Sequence, residues 1–466
     1  MSRTTVSSNS NFLKHPKGIF ILFFTELWER FSYYGMRAIL ILFLVDNVAR
    51  GGFGWSKEDA FTLLGTYTMM VYVMGIPGGI IADRYLGQKQ AVLWGAILQC
   101  IGHFSLAFQS KGAFFVGLVA LVVGVGLMKP SVSTMVGSLY EKGDKRRDGG
   151  FTIFYMGINI GGLIAPLVVG FIGEVYGWHY GFSLAGIGML LGITTFLLGQ
   201  KYFKEIGNKP QKALRAEKSH APKLHNSFTK EEKDRLVVVA ISFIAVFVFF
   251  MAFEQMSGLL NIYAYSYTNR YIGGWEIPAS MLQSVNSIFV VGLAPLVAAF
   301  WFKIAKKHKN ISSIYKIGVG NIIVGIGFLF MVGAALQKRY TFPEESALYW
   351  LIGSYFFQTL GELSLSPVSM SFITKVAPKH IVGSVMGILL AVIGVANFIS
   401  SRLGRLAISL GDLTIFQFIF FVTVLTGALV IIFNKKLAKL THGSEDIVEE
   451  DEEKEKLVHS VQEDLP

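Results

Sequence analysis

Charged residues interrupt the first long apolar run of the chain in the stretch Glu26-Leu-Trp-Glu-Arg-Phe-Ser-Tyr-Tyr-Gly35. The run extends from about residue 19 to residue 45, and its other side chains are mainly Ile, Leu, Phe and Val. When the run is wound as a helix, one narrow face holds four polar side chains, Glu26, Arg30, Tyr33 and Arg37. A charge at the centre of a bilayer costs about 2.5 to 3.5 kcal/mol, so such a face needs partners, water or a function.

The composition of the whole chain indicates an integral membrane protein. The 466 residues include 52% hydrophobic side chains, 50 glycines and only 16% charged side chains, which is unlike a soluble globular protein. Apolar runs of about 20 residues predict transmembrane helices. Twelve such runs occur, at residues 19–45, 60–82, 91–110, 113–138, 151–173, 180–199, 236–267, 280–302, 312–336, 346–373, 380–404 and 414–434. The sequence therefore predicts an all-α membrane protein with twelve transmembrane helices.

The basic residues predict the orientation of these spans. Most of the 42 Lys and Arg residues lie in segments that would share one side of the membrane with the N-terminus. An excess of Lys and Arg marks the cytoplasmic side, so we expect both termini to be cytoplasmic. The net charge of +11 then reflects membrane topology, and no nucleic-acid partner is expected.

The distribution of apolar runs divides the chain into segments. We predict an N-terminal six-helix half at residues 1–200, a lysine-rich cytoplasmic linker at 201–235 and a C-terminal six-helix half at 236–440. The remaining residues, 441–466, are acidic and predicted to be disordered. The single cysteine, Cys100, excludes an internal disulfide and a cysteine-only metal site. We expect no metal and no cofactor other than protons as the coupling ion.

A short polar loop follows the second span, from Gly78 to Lys89. It resembles the signature loop of the major facilitator superfamily. The matching residues are Gly79, Asp83, Arg84, Gly87 and Lys89. They predict a tight turn whose Asp and Arg pair with neighbouring helix ends and release them as the transporter opens.

Further motifs resemble the proton-coupled oligopeptide transporter family, in its bacterial type. The N-terminal half carries ExxER at residues 26–30, Lys129-Pro130, Phe154-Tyr-Met-Gly-Ile-Asn-Ile-Gly161 and Gly177-Trp-His-Tyr-Gly-Phe182. The C-terminal half carries Phe253-Glu-Gln255, Asn286 ahead of Ala294-Pro295, and Gly361-Glu-Leu-Ser-Leu-Ser-Pro367. The resemblance implies a major facilitator fold, in which two six-helix halves built from inverted repeats rock about a central site.

The resemblance also implies a function and a set of site residues. The expected function is a symporter that uses protons to import di- and tripeptides across the inner (plasma) membrane. The residues expected to couple protons are Glu26, Glu29, Arg30, Arg37 and Glu254. The residues expected to bind peptide are Arg30, Tyr33, Tyr34, Tyr72, Lys129, Tyr155, Asn159, Asn286 and Glu362. In this assignment Arg30 and Lys129 hold the peptide carboxylate, and Glu362 holds its ammonium.

The charges inside the predicted spans support proton coupling without the resemblance. Four acids, Glu26, Glu29, Glu254 and Glu362, face three bases, Arg30, Arg37 and Lys129. Burial disfavours the charged form of a carboxyl and a nearby cation favours it, so the surplus acid can take up and release a proton. A permanently paired network that only holds helices together is the structural alternative.

The positions of Arg37 and Glu254 predict that these two residues meet. Each lies about 20 residues after the start of its span, or roughly 30 Å at about 1.5 Å per residue, so they reach similar depth. A pair there would close the outer side while the cavity faces the cytoplasm.

Two other functions stay open at this stage. One is a proton-coupled transporter of another organic anion or drug, and the other is a peptide-sensing receptor. An enzyme is not expected, because the chain has no HExxH motif and no GxSxG motif in a strand context. The expected partners are di- and tripeptides, protons and the lipid bilayer, and the protein is expected to act as a monomer.

Overall fold

The computed structural model of the chain describes residues 15–108, 110–141, 144, 146–208, 228–307, 311–378 and 380–444. Most of the predicted linker, at 209–227, and most of the predicted acidic tail, at 445–466, lie outside the described residues. The predictions for those segments therefore stay predictions.

Twelve helical spans, α1 to α12, run through the described part of the chain and follow the twelve predicted apolar runs. Their bounds are α1, Lys17–Val45; α2, Lys57–Ile81; α3, Gln88–Ala107; α4, Lys111–Ser138; α5, Arg147–Ala165 continued by Phe171–Tyr176; α6, Trp178–Gly199; α7, Lys230–Phe253 continued by Leu259–Tyr267; α8, Ser284–Lys307; α9, Ser313–Tyr340; α10, Leu348–Val376; α11, Val382–Leu410; and α12, Asp412–Leu440. Consecutive spans run in opposite directions, so odd-numbered spans begin on the side where α1 begins. We call this side the N side and the other the opposite side.

Ten helical stretches in the described part of the chain are long and apolar enough to cross a membrane. The spans outside this set are α1 and α10. Glu26, Glu29, Arg30 and Arg37 lie within α1, and Glu362 lies among serines in α10. Both spans thus carry residues predicted to bind protons or peptide, and this accounts for their greater polarity.

Irregular turns interrupt two of the spans on the opposite side of the bundle. A π-helical turn at Pro166–Gly170 divides α5, where the proline supplies no N–H for the regular helix. A 3-10 turn at Glu254–Met256 divides α7. Such breaks free backbone groups and are tolerated in membrane proteins only where protein or water satisfies those groups. The break in α7 begins at a residue predicted to couple protons.

Glycines set the close packing within each half. A Cβ on Gly95 of α3 would lie 2.7 Å from the carbonyl oxygen of Gly124 in α4. The corresponding contact in the other half joins Gly320 of α9 and Gly361 of α10, where the distance would be 3.1 Å. The equivalent helix pairs of the two halves are therefore packed in the same way, as expected for a fold built from repeats.

Short strands lie between spans on the opposite side. Thr268–Asn269 pairs in parallel with Ser346–Ala347, and Tyr271–Ile272 pairs antiparallel with Trp275–Glu276. They connect α7 to the start of α10 and form a small hairpin ahead of α8.

The two halves touch on the opposite side and diverge toward the N side. Spans α2 and α11 show this in steps of seven residues along one helix face. A Cβ on Gly65 would lie 2.6 Å from Ser401, and a Cβ on Gly394 would lie 3.1 Å from Tyr72. One step further, a Cβ on Gly387 would meet nothing within 4 Å. The space between the halves is therefore a central cleft that opens toward the N side.

Candidate functional site

A buried ionic cluster occupies the middle of α1. The Nε atom of Arg30 lies 3.0 Å from Oε1 of Glu26 and 2.5 Å from Oε2 of Glu29. Both contacts are ionic, because Nε and Nη2 of Arg30 have no hydrogen-bond partner among the described residues. One guanidinium thus lies against two carboxylates and keeps a buried donor that no described residue satisfies.

Aromatic rings and glycines fix the position of Arg30. Its guanidinium carbon lies 5.5 Å from the ring centre of Tyr33 and 5.7 Å from that of Tyr34, within the range of a cation–π contact. A Cβ on Gly161 of α5 would lie 2.8 Å from the Cβ of Arg30. The glycine therefore lets α5 approach α1 at the depth of the ionic cluster.

Span α5 carries Tyr155 and Asn159 on one face, because they are four residues apart in a helix. The side-chain amide of Asn159 donates to the backbone oxygen of Tyr155 at 2.9 Å. The Tyr155 side chain is 54% exposed and interacts electrostatically with Glu362 of the other half. Tyr155 therefore faces the central cleft.

Lys129 supplies a positive charge to the N-terminal half of the cleft. Its ammonium lies 4.7 Å from the ring centre of Tyr72 and interacts electrostatically with Glu26. No carboxylate of the described residues forms an ion pair with it within 4.0 Å. Lys129 is exposed, so its charge is available to a ligand in the cleft.

Glu362 supplies a negative charge to the C-terminal half. The side-chain amide of Asn286 in α8 donates to Oε2 of Glu362 at 3.2 Å and to Oγ1 of Thr359 at 2.9 Å. In the described parts of the chain, no cation lies within ion-pair distance of this carboxylate. Glu362 is thus the acid that the four-to-three charge count leaves without a cation.

Arg37 and Glu254 form an ion pair between the halves. Nη2 of Arg37 donates to Oε2 of Glu254 and to the hydroxyl of Ser257 at 2.8 Å. The pair lies closer to the opposite side of the bundle than the Arg30 cluster does, at the break in α7. The predicted meeting of these two residues is therefore present in the structure.

Comparison with known proteins identifies the family. A family model described as the POT family matches residues 89–222 and 211–409. The chain belongs to the POT family.

Similar proteins cover nearly the whole chain. A peptide transporter of Yersinia enterocolitica, YePEPT, is 35% identical over 87% of this chain and 89% of its own length. A di-/tripeptide transporter of Lactococcus lactis is 32% identical over 93% of this chain and 98% of its own length. A crystal structure of a POT family transporter in complex with a thioalcohol-conjugated peptide superposes with a TM-score of 0.84 at 30% identity. It covers 91% of this chain and 98% of that one.

These findings confirm the predicted family and the predicted membrane fold with two six-helix halves. The family and the relatives named as transporters indicate a membrane transporter rather than an enzyme.

The signature loop of this POT-family chain forms a tight turn on the N side. A π-helical turn at Ala82–Leu86 ends at Gly87, whose φ of 79° favours glycine. Asp83 accepts a hydrogen bond from Gln88 at 3.0 Å, and a Cβ on Gly79 would lie 3.9 Å from the ring of Pro130. Arg84 is exposed. The turn is as predicted, and Asp83 binds Gln88, which is the first residue of α3.

Several contacts at the site have no signal in the sequence. Lys89 of the loop donates to the side-chain oxygen of Asn208 at 2.9 Å and to the backbone oxygen of Lys204, so the loop is tied to the start of the predicted linker. Thr359 accepts a hydrogen bond from the amide of Asn286, and Ser257 accepts one from the guanidinium of Arg37. Such neutral partners become visible only when the neighbouring spans are known.

Proposed function

We propose that this POT-family chain is a symporter that uses protons to import di- and tripeptides by alternating access. One observation carries the proposal: Lys129 in one half and Glu362 in the other offer opposite charges to a ligand in the same cleft. A peptide is a zwitterion with one charge for each. Relatives named as peptide transporters support peptides as the substrate.

Both ends of a peptide find partners in the cleft. Lys129 and the free Nη2 of Arg30 bind the carboxylate, and Glu362 binds the ammonium. Amides of Asn159 and Asn286 serve the peptide groups, which must keep hydrogen bonds when they leave water. Tyrosine rings line the remaining space: Tyr33, Tyr34, Tyr72 and Tyr155.

Proton coupling follows from the shared guanidinium. Glu26 and Glu29 both depend on Arg30 for positive charge. When a peptide carboxylate takes part of that charge, protonation of one buried acid becomes favourable. Release of the peptide restores the ion pairs and expels the proton.

The Arg37–Glu254 pair links the proton to access. The pair holds the halves together on the opposite side while the cleft is open to the N side. Protonation of Glu254 removes its charge, weakens the pair and favours opening on the opposite side. We place the cytoplasm on the N side, because Lys and Arg are concentrated there. The termini are then cytoplasmic, and we propose that the protein works as a monomer in the inner (plasma) membrane.

Cysteine crosslinking tests whether the Arg37–Glu254 pair forms a gate that closes the opposite side. Arg37→Cys and Glu254→Cys, combined in a Cys100→Ser background, should crosslink when the cleft faces the N side and crosslink less when an outward-facing state is trapped. Lys338→Cys with Asp412→Cys is the control, because this 2.7 Å pair lies within one half. Its crosslinking should not change with the state. Invariant crosslinking of the Arg37 and Glu254 positions, or none in any state, would contradict the gate.

Blocked peptides separate this proposal from its alternatives. Dialanine should compete for labelled dipeptide far better than N-acetyl-dialanine or dialanine amide, because each blocked end leaves one site charge unpaired. A transporter of another organic anion would accept the acetylated compound. A receptor would bind dialanine but would not accumulate it in vesicles.

A further inference from the structure

Glu174 makes a second set of polar contacts between the halves. It lies at the opposite-side end of α5, and its side chain is only 8% exposed. Its carboxylate accepts hydrogen bonds from the backbone N–H groups of Ala279 and Ser280, at 2.9 and 3.1 Å. The hydroxyl of Ser280 donates at 2.9 Å, and Nη1 of Arg270 lies 3.5 Å away. All these donors belong to the C-terminal half.

The start of α8 needs such an acceptor. A 3-10 turn at Ala279–Gln283 leads into α8, and Pro278 before it provides no side-chain cap. The first N–H groups of a helix lack carbonyl partners and attract negative charge. Glu174 supplies both the acceptor and the charge from the other half of the molecule.

The neighbouring part of α5 is shaped for the same contact. A Cβ on Gly170 would lie 2.7 Å from the hydroxyl oxygen of Ser280, so a larger residue would displace this hydroxyl. The hydroxyl of Ser284 donates to the backbone oxygen of Leu163 at 2.8 Å. Leu163 comes just before the π-helical turn of α5. The docking of α5 on α8 is therefore continuous from Leu163 to Glu174.

We propose that Glu174 is a positioning residue that latches α8 to α5 while the cleft faces the N side. The latch must release before the opposite side opens. It acts separately from Arg37 and Glu254, which join α1 to α7. Because α8 also carries Asn286, the latch fixes the position of the amide that binds Glu362.

This inference rests on the proposed alternating access. Its test therefore measures conformation directly, so a failure to transport peptides does not decide it.

Distance measurements between spin labels test the latch. Val48→Cys and Tyr340→Cys, in a Cys100→Ser background, place one label in each half on the opposite side. Both positions are exposed, at 68% and 80%. In Glu174→Gln, the population with a long distance between the labels should rise about tenfold relative to the population with a short one. The reason is that several hydrogen bonds between the halves lose their charged acceptor. The same rise should appear in a Glu254→Gln background, where the Arg37–Glu254 ion pair is weakened and the open state is more populated.

Two further variants make the result specific. Glu276 binds the same Arg270 at 2.7 Å, but both residues lie in the C-terminal half. Glu276→Gln should therefore leave the distances unchanged. Ser280→Ala removes one donor on the α8 side and should shift the distances in the same direction by less. This variant decides the matter if Glu174→Gln does not fold. Unchanged distances in folded Glu174→Gln or Ser280→Ala, or an equal shift in Glu276→Gln, would overturn the latch.

Discussion

Proteoliposomes that contain the Glu26→Gln or Glu29→Gln variant should exchange dipeptide across the membrane but fail to accumulate it. Glutamine keeps the shape of the side chain and cannot take up the proton. A pH difference of one unit supplies about 1.4 kcal/mol per proton, or roughly tenfold accumulation. The variants should stay near equal concentrations on both sides. Arg30→Ala should abolish exchange as well. It removes a group that binds the peptide carboxylate, and it leaves Glu26 and Glu29 buried without their cation.

An exposed carboxylate provides the control for these variants. Glu344 lies in the loop between α9 and α10 and is exposed to solvent. Glu344→Gln should accumulate dipeptide as the unmodified protein does. If folded Glu26→Gln and Glu29→Gln lose exchange and binding together with accumulation, the cluster has a structural role and the coupling scheme is wrong.

Glu362→Gln and Lys129→Gln should relax selectivity for opposite ends of the peptide. A charge that a bound ligand shields from water and leaves unpaired costs about 2 to 5 kcal/mol, so the unmodified protein should disfavour a blocked peptide by roughly thirtyfold or more. Glu362→Gln should remove the discrimination against N-acetyl-dialanine and keep that against dialanine amide. Lys129→Gln should lower only the discrimination against the amide, and Arg30 limits the size of this effect.

Each variant is the matched control of the other. Competition against a labelled dipeptide gives both discrimination ratios in one assay. Equal competition by free and acetylated dialanine in the unmodified protein would refute the role of Glu362. Loss of both kinds of discrimination in one variant would show a collapsed site rather than a missing charge.

The contacts within one helix could be predicted from the sequence. Glu26 and Arg30 are four residues apart in α1, and helical winding alone places them together. Counting residues from the start of each span also predicted the depth at which Arg37 meets Glu254. Both predictions need only the geometry of a single helix and the direction of the span.

The contacts between spans could not be predicted in this way. Asn286 and Thr359 are polar residues in separate spans, and no local pattern says that they share Glu362 as a neighbour. Glu174 reads in the sequence as a lone acid near the end of a span. Its role as the acceptor at the start of α8 depends on how the two halves dock.

The start of α7 shows a different kind of difference. The apolar run begins at about residue 236, but the helix begins at Lys230. Thr229 and Glu232 form a capping box that starts the helix within the polar segment. The length of an apolar run matches the thickness of the membrane, whereas capping residues set the residue at which a helix begins.

A proton gradient should drive the import of short peptides by this protein. The most direct test is the uptake of labelled dialanine into proteoliposomes with an imposed pH gradient, using purified protein shown to bind dialanine. We predict accumulation above the external concentration, which a protonophore should abolish. Binding without accumulation, or uptake that does not depend on the pH gradient, would contradict the claim.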